Sequence, residues 1–286
     1  MNRINQLFQD RTKPVLSIYY PAGYPNLNDT TAVLHALQQK GIDLVEIGIP
    51  FSDPMADGPV IQEASTKALR NGISLRLLFQ QIKDIRKEGI TMPVILMGYL
   101  NPIMQFGFEP FCQTCAEIGI DGIIIPDLPF ADYLENYKPV ADQYGLNMIM
   151  LITPETSDER IRQIDEHTDG FIYMVSSAAT TGMQKDFESQ KQHYFKRIKE
   201  LKLKHPYLIG FGISNKATYD AATQNSFGGI IGSKFVQLLK TEPSIDAAVD
   251  KLLHVGACLP QTLLGDFILG GCYIAYMPFQ ILICYI

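Results

Sequence analysis

Several features that mark particular classes of protein are missing from this 286-residue sequence. The chain has a formal net charge of −6 and no run of Lys and Arg interleaved with aromatic residues, so it lacks the basic surface of a nucleic-acid-binding protein. Residues 1–8 are polar and amphipathic and do not form an apolar signal core. We therefore expect a cytoplasmic protein with no nucleic-acid partner.

Patterns typical of metal and redox sites are also absent. The cysteines number five, and the one CxxC pair, Cys112 and Cys115, has no second pair or nearby His to complete a zinc site. That pair falls in a helical pattern, which indicates two reduced thiols. The five histidines stand on predicted helices or helix-side turns and include no HxH pair, so we expect no metal.

The sequence does contain a regular alternation of apolar strands and helices. A short amphipathic helix is predicted over residues 2–11, and helical periodicity follows each later strand. The predicted strands are 15–20, 43–49, 93–99, 122–127, 147–152, 170–176, 207–213 and 228–233. Near-continuous apolar strands alternating with helices predict an α/β fold, a closed (β/α)8 TIM barrel with an extra N-terminal helix. No GxGxxG follows the first strand, which argues against a dinucleotide fold.

The domain organisation follows from where this alternation ends. Residues 1–255 are predicted to form a single barrel domain, and residues 256–286 an atypical apolar extension. Asp266 is the only charged residue of the extension, and the twenty uncharged positions 267–286 could span a bilayer. Glycines and a proline interrupt the stretch, and no Lys or Arg flanks it. We expect a loosely packed or disordered extension and no membrane partner.

One carboxylate stands inside a predicted strand. Period-2 alternation puts Glu46 on the face opposite Val45 and Ile47, and we expect that face to be the more enclosed one. Burial disfavours a charged carboxylate, so the pKa of Glu46 should be raised, which suits proton transfer near neutral pH. The alternative is a partly solvated glutamate at a strand end.

The active site of a TIM barrel forms at the carboxyl ends of its strands. Three carboxylates stand there, Glu46, Asp57 and Asp127, and we interpret them as the acid/base set. No lysine occurs at a strand end before Lys234, so a Schiff-base aldolase would lack its nucleophile. The other candidates are Tyr20, Asp53, Tyr99, Asn101, Tyr173, Thr181, Gly182, Gly212, Gly232 and Ser233.

Glycine-bearing strand ends occur in three adjacent late units of the barrel. They are Thr181-Gly182, Gly210-Phe211-Gly212 and Gly232-Ser233. The loops after strands 7 and 8, with a following helix N-terminus, form the usual phosphate site of TIM barrels, because glycine lets backbone N–H groups approach the anion. The alternative is that these are ordinary turn residues. The residues alone therefore predict metal-free acid/base catalysis on a phosphorylated small molecule.

Several motifs together resemble one family. The run from Glu46 to Gln62, ExGxPFSDPxADGPxIQ, is similar to the signature of the tryptophan synthase alpha chain family, and MGYxNP, PDLP, TG and GFGIS also match in order. The resemblance covers residues 1–254. It implies a carbon–carbon lyase of tryptophan biosynthesis that cleaves indole-3-glycerol phosphate, by a retro-aldol reaction, to indole and glyceraldehyde 3-phosphate. The extension after residue 255 departs from the family pattern.

The resemblance also implies roles for individual residues. Glu46 matches the buried catalytic acid/base, and Asp57 matches the carboxylate that engages the indole N–H. Tyr173 matches a substrate-side tyrosine, and Thr181 matches the threonine of a loop that closes over the site. The positions that match backbone phosphate-binding residues are Gly182, Gly212, Gly232 and Ser233.

A partner is implied as well. Pro50 and Asp53 match the loop that faces a beta chain, in an α2β2 tetramer where indole passes to the beta subunit for tryptophan synthesis. Pyridoxal phosphate is expected only in that partner, and no cofactor is expected in this chain. Two alternatives stay open. One is an indole-glycerol-phosphate synthase, which would need a strand-end lysine, and the other is an inactive alpha-like subunit that only activates a partner.

Overall fold

The fold is a nearly closed barrel of parallel strands with helices outside it. A computed structural model describes residues 1–175, 184–210, 213 and 215–255. Within these ranges nine strand segments form one sheet, and every strand pair in it is parallel. The predicted α/β TIM barrel with an N-terminal helix is confirmed.

The strands are short, and their order closes the sheet on itself. They are β1 (Val15–Pro21), β2 (Leu44–Gly48), β3 (Val94–Met97), β4 (Gly122–Ile124), β5 (Asn147–Ile149), β6 (Leu151–Ile152), β7 (Ile172–Val175), β8 (Tyr207–Gly210) and β9 (Gly228–Ile231). The sheet order is β5-β4-β3-β2-β1-β9-β8-β7-β6. Strands β5 and β6 are the two halves of the predicted fifth strand, divided at Met150, so the ends of the sheet meet in one chain segment. The Met150 carbonyl accepts the Tyr173 N–H at 2.9 Å.

Helices follow the strands around the outside of the barrel. They are α1 (Arg3–Asp10), α2 (Thr30–Gln39), α3 (Pro59–Asn71), α4 (Leu75–Ile82), α5 (Leu100–Phe106), α6 (Phe108–Ile118), α7 (Phe130–Asp132), α8 (Lys138–Gln143), α9 (Asp158–His167), α10 (Gln184–Leu201), α11 (Lys216–Thr223), α12 (Ser233–Thr241) and α13 (Ile245–Val255). A π-helical turn, Tyr133–Tyr137, joins α7 to α8. Helix α5 was not predicted, and the helix predicted from residue 75 to 88 ends at Ile82.

The alternation of side chains along each strand separates two cores. Val45 and Ile47 pack in the larger core beneath the helices, whereas Leu44 packs inside the barrel. The interior core also contains Ile4 of α1, which is fully buried. Helix α1 therefore closes the amino-terminal end of the barrel, because its apolar side chain fills the space between the strand starts.

A buried ion-pair network holds this amino-terminal end. The Asp121 side chain is almost fully buried, and its Oδ1 accepts from Arg3 at 2.9 Å. Its Oδ2 accepts from Arg86 at 2.6 Å and from the Val94 N–H at 2.8 Å. A buried carboxylate is tolerated where charged partners and hydrogen bonds offset its desolvation. Asp121 therefore joins α1 to β3 and to the turn after α4.

Candidate active site

A cavity opens at the carboxyl ends of the strands, where the barrel fold predicts the site. Its lining combines apolar side chains with a carboxylate and two tyrosines, which is typical of a small-molecule site. The side chains and backbone that line it come from β1, β3, β7, β9, the loop after β2 and the starts of α3 and α12. The lining residues are Tyr19, Asp57, Gly58, Ile61, Met97, Tyr173, Ile230, Gly232 and Ser233.

Glu46 lies behind the wall of this cavity, on the inner face of β2. Its side chain is fully buried, and its Cα is paired with Tyr19 of β1 and Ile95 of β3. The Ser17 hydroxyl donates to Oε1 at 2.8 Å, and Oε2 has no hydrogen-bond partner within the described ranges. Burial raises the pKa of Glu46 to about 7, although the Ser17 hydrogen bond acts in the opposite direction. The predicted enclosed face and raised pKa are confirmed.

Two tyrosines line the cavity and lie over glycines of neighbouring strands. A Cβ atom at Gly48 would stand 2.2 Å from the Tyr19 hydroxyl oxygen, and one at Gly210 would stand 2.2 Å from the Tyr173 hydroxyl oxygen. Any larger residue at these glycines would therefore collide with a tyrosine ring. Burial raises the pKa of both phenols, and nearby carboxylates raise it further. Both tyrosines are therefore neutral polar groups at the cavity wall.

Asp57 reaches the cavity from the loop between β2 and α3. The Tyr99 hydroxyl donates to its Oδ2 at 2.9 Å and accepts the Ala56 N–H at 2.9 Å, so Tyr99 fixes both the loop backbone and the carboxylate. The Phe51 ring packs on Tyr99 with centroids 5.4 Å apart. Burial raises the pKa of Asp57, and the Tyr99 hydrogen bond lowers it in part. Tyr99 was predicted only as a strand-end candidate.

The phosphate-binding candidates are only partly described. Gly232 and Ser233 line the cavity, and α12 begins at Ser233. The first N–H groups of a helix have no intrahelical acceptor, and the helix dipole favours an anion at that end. Thr181, Gly182 and Gly212 lie outside the described residues.

One of the predicted strand-end candidates, Tyr20, faces away from the cavity. Tyr20 was predicted as a site candidate, but its side chain is fully buried beneath the helices, where its hydroxyl donates to the Thr30 carbonyl at 2.7 Å. Its neighbour Tyr19, which sequence reasoning missed, lines the cavity. Val15 faces the interior core, and Tyr19 is four positions later, so the two side chains lie on the same face of β1. The alternation used for β2 therefore predicts that Tyr19 faces the interior.

The assignment of Asp127 to the acid/base set was also wrong. Asp127 is exposed, and its Oδ1 accepts the Leu100 N–H at 2.9 Å at the start of α5. A carboxylate at a helix N-terminus satisfies a backbone donor and opposes the positive end of the helix dipole. The role of Asp127 in the described geometry is therefore structural. Asn101 lies in the first turn of α5 and is absent from the cavity lining.

The residues expected at a partner interface stand apart from the cavity lining. Pro50 is half-buried and Asp53 is exposed, and both belong to the loop between β2 and α3. The Asp53 carboxylate accepts from the Ser52 hydroxyl. Met55, in the same loop, is 89% exposed, so an apolar side chain and a carboxylate are both presented outward beside the cavity.

Other kinds of site are not found among the described residues. Within them, no group of three or more His, Cys, Asp and Glu side chains could hold a metal ion. None of the helices in these ranges combines the length and apolarity that a bilayer crossing requires. Cys112 and Cys115 are both buried and unbonded, as the helical pattern predicted.

Comparison with known proteins identifies the family. A family model described as tryptophan synthase alpha chain matches residues 6–258. A tryptophan synthase alpha chain of Parabacteroides distasonis is 68% identical over 254 residues, which is 89% of this chain and 98% of the relative. This chain belongs to the tryptophan synthase alpha chain family.

Other members of the tryptophan synthase alpha family and their structures agree. The alpha chain of Bacteroides fragilis is 62% identical over 252 residues, covering 88% of this chain and 95% of the relative. The crystal structure of tryptophan synthase subunit alpha from Legionella pneumophila superposes with a TM-score of 0.76 at 34% identity, covering 88% and 99% of the two chains. A structure of Mycobacterium tuberculosis tryptophan synthase gives 0.79 at 29% identity, covering 91% and 99%.

Membership of this family establishes the reaction. The chain is a carbon–carbon lyase that catalyses the tryptophan synthase alpha reaction, the cleavage of indole-3-glycerol phosphate to indole and glyceraldehyde 3-phosphate. The predicted family, fold and activity are thus confirmed. None of the comparisons favours an inactive alpha-like subunit.

Proposed function

We propose that Glu46 is the acid/base of the alpha reaction and that Asp57 is its electrostatic partner. The observation that carries this proposal is the carboxyl group of Glu46. It is fully buried beside the cavity, one of its oxygens lacks a hydrogen-bond partner among the described residues, and its pKa is raised to about 7. A group that titrates near neutral pH can both give and take a proton at the operating pH.

The chemistry of the cleavage requires both proton transfers. Protonation of the indole at C3 by neutral Glu46 generates an indolenine cation, which acts as the electron sink. The resulting carboxylate then removes the proton of the 3′-hydroxyl, and the C3–C3′ bond breaks as the aldehyde forms. The bonding electrons return to the indole ring, so indole and glyceraldehyde 3-phosphate leave and Glu46 is again protonated. The carboxyl group of Glu46 therefore donates one proton and regains one in each cycle, so no second acid or base is needed.

Asp57 has a different role in the proposal. Its carboxylate engages the indole N–H and stabilises the positive charge that develops there when C3 is protonated. Tyr99 holds that carboxylate in place through the 2.9 Å hydrogen bond. Tyr173 contacts the substrate from β7, and Thr181 belongs to the loop that covers it. Asp57 is the carboxylate among the described residues that line the cavity.

The phosphate of the substrate is placed at the late strand ends. We assign it to backbone groups of Gly182, Gly212, Gly232 and Ser233, and the N-terminus of α12 supports the last two of these positions. This placement leaves the glycerol chain and the indole ring to extend toward Asp57 and Tyr173, which line the same cavity.

We also propose how the chain works in its assembly. Residues 1–255 form the catalytic domain, and residues 256–286 are an extension outside it. Pro50 and Asp53 face a tryptophan synthase beta chain in a cytoplasmic α2β2 tetramer, to which indole is passed. Pyridoxal phosphate belongs to that beta chain, and this chain needs no cofactor. Support comes from family membership and from the outward exposure of Asp53 and Met55 on one loop.

The proposal is tested by following indole release from indole-3-glycerol phosphate with purified protein, alone and with a beta chain. Glu46→Gln should reduce turnover by a factor on the order of 10² to 10⁴, the usual contribution of a general acid/base. Binding of glycerol 3-phosphate, measured by calorimetry, should persist in this variant because the phosphate site is separate from Glu46.

Further variants test the separate roles of Asp57, Glu46 and Asp53. Asp57→Asn should reduce turnover without removing the titration assigned to Glu46, because the two carboxylates stand on different elements. Near-normal turnover of Glu46→Gln would contradict the assignment of Glu46. Tight complex formation with a beta chain after replacing Asp53 by Lys would contradict the interface assignment.

A further inference from the structure

Ser17 is a polar residue inside an otherwise apolar stretch of the barrel interior. It lies on β1 with no exposed surface, and its Cα is paired with Leu44 of β2 and Ile230 of β9. Both neighbours belong to the interior core. A buried hydroxyl in such surroundings is costly unless it is hydrogen-bonded, so its partner indicates its purpose.

Among the described residues, the Ser17 side chain hydrogen-bonds to Glu46. The hydroxyl donates to Oε1 at 2.8 Å, which is a normal length for an O–H···O bond. The other carboxyl oxygen, Oε2, is buried and has no partner in the described part of the chain. The two oxygens of one carboxyl group are therefore in different environments, one engaged and one unengaged.

This asymmetry assigns a function to Ser17. We propose that Ser17 is a positioning residue for the alpha reaction: it holds Oε1 of Glu46 and leaves Oε2 as the oxygen that gives and takes the proton. The inference rests on the proposed role of Glu46 and extends it to the level of single atoms. Ser17 itself does not touch the substrate.

The hydrogen bond suits both states of the catalytic cycle. When Glu46 carries its proton on Oε2, Oε1 is a carbonyl oxygen and still accepts from the Ser17 hydroxyl. When the proton has left, Oε1 is a carboxylate oxygen, and the same bond is stronger because its acceptor is charged. Ser17 therefore stays bonded through the cycle and favours the ionised form, which opposes the effect of burial.

The other groups that face Glu46 do not replace this function. Tyr19 from β1 and Tyr173 from β7 interact with it electrostatically, and burial keeps both phenols neutral by raising their pKa. Strand β3 presents the apolar Ile95 at the same level. Asp57 is the remaining carboxylate at the cavity. No cation is among these neighbours, so Ser17 is the group in this described set that stabilises the Glu46 anion.

The test is a titration of Glu46 in the full chain carrying Ser17→Ala. Glutamate labelled with ¹³C in its side-chain carboxyl is followed by NMR between pH 4 and 9, conditions chosen to bracket the titration, and the Glu46 signal is assigned by its absence from Glu46→Gln. The midpoint should rise by about one pH unit in Ser17→Ala, because a hydrogen bond to the charged form is lost. The limb of the pH–rate profile that belongs to Glu46 should move by the same amount.

Matched variants separate positioning from general damage. Ser65→Ala makes the same chemical change at a buried serine of α3 that does not line the cavity, and it should leave the titration and the pH–rate profile unchanged. Ser17→Cys keeps a weak donor of similar size, so its midpoint should lie between those of wild type and Ser17→Ala. If Ser17→Ala does not fold, the Ser17→Cys midpoint decides.

The outcomes distinguish this inference from the proposed function. An unchanged Glu46 midpoint in a folded Ser17 variant, together with loss of turnover in Glu46→Gln, would overturn the role of Ser17 alone. Normal turnover in Glu46→Gln would overturn the role of Glu46 itself. A raised midpoint that is absent from Ser65→Ala would establish that Ser17 sets the protonation of Glu46.

Discussion

Two buried carboxylates, Asp121 and Glu46, lie near opposite ends of the barrel and have contrasting environments. Near the amino-terminal end, Asp121 accepts hydrogen bonds from Arg3, Arg86 and the Val94 N–H, so both of its oxygens are engaged. Near the carboxyl end, Glu46 has one hydroxyl partner and one oxygen with none in the described ranges. Both carboxylates are buried to a similar extent. Asp121 has partners for both oxygens, whereas Glu46 has a free oxygen within the described ranges and readily takes up a proton.

The hydrogen-bond partners of a buried carboxylate indicate whether its role is structural or catalytic. A buried carboxylate whose oxygens all have partners joins elements of the fold. Removing its charge destabilises the protein, because its partners are left buried without a charged acceptor. A carboxyl group with an unsatisfied oxygen has its pKa raised toward neutral pH by burial. The burial costs stability, but the raised pKa allows the group to transfer protons in the reaction. Replacing the carboxylate by an amide should therefore lower stability at Asp121, whereas at Glu46 it should raise stability relative to wild type as the pH rises.

The largest expected change in stability comes from the amino-terminal end. Asp121→Asn should lower the free energy of unfolding by about 3–5 kcal/mol, because Arg86 and the other donors would lose a charged acceptor in a buried site. Urea unfolding followed by circular dichroism measures it. Glu63→Gln, which breaks an exposed pair with Lys240, is the matched control and should leave the midpoint unchanged. A similar small effect from both variants would mean that the buried Asp121 network contributes no more to stability than an exposed ion pair.

The shape of the cavity end supplies the next prediction. Gly48→Ala would place a methyl group within the space of the Tyr19 hydroxyl, so the ring must move out of the cavity wall. We expect a loss of about 1–3 kcal/mol in stability, as for other overpacked sites, and a raised KM for indole-3-glycerol phosphate. Gly145→Ala is the control, because it strains a positive-φ turn without meeting any atom within 4 Å and does not line the cavity, so it should cost stability and leave KM unchanged. An unchanged KM in Gly48→Ala would mean that the position of Tyr19 is unimportant for binding.

A smaller effect is expected at Asp57. Tyr99→Phe removes the hydroxyl that donates to its carboxylate, so the pKa of Asp57 should rise further and kcat/KM should fall by up to about tenfold, the value of one hydrogen bond. The loss should be greatest at low pH, where the carboxylate is already partly protonated. Tyr144→Phe, whose hydroxyl faces Glu109 at 3.4 Å on the surface, is the control. Equal effects of the two variants would rule out a positioning role for Tyr99.

Much of the fold and the central acid could be predicted from local patterns. The apolar strands specified the barrel, and alternation along β2 put Glu46 on the enclosed face, as observed. On β1 the same alternation separates Tyr19, which lines the cavity, from the predicted candidate Tyr20, which packs beneath the helices. Two adjacent tyrosines are chemically alike, and only the choice of face separates them.

The remaining differences depend on contacts between distant parts of the chain. Asp127 resembles a catalytic strand-end carboxylate, yet it binds the Leu100 N–H, 27 positions away, at a helix that was not predicted. Helix α5 is short and contains Pro102 near its start, so its periodicity is weak. The partners of Asp121 come from α1, the turn after α4 and β3, and no local pattern in the sequence relates them.

The pH dependence of stability tests the central claim most directly. Unfolded Glu46 releases its proton near its ordinary pKa of 4.5, whereas the folded state holds that proton up to about pH 7. Between these values the folded state binds more protons, so the contribution of Glu46 to the free energy of unfolding falls as the pH rises, by roughly 3 kcal/mol in total. Below pH 4.5 both states are protonated and this cost is absent.

The measurement compares urea unfolding of wild type and Glu46→Gln from pH 4 to 8, a range chosen to include both protonation events. Because glutamine does not titrate, the variant should gain stability relative to wild type as the pH rises from about 4.5 to 7, and the difference between the two proteins should be constant above that range. A difference between the two proteins that is independent of pH would mean that Glu46 has an ordinary pKa, and would contradict its assignment as the acid/base.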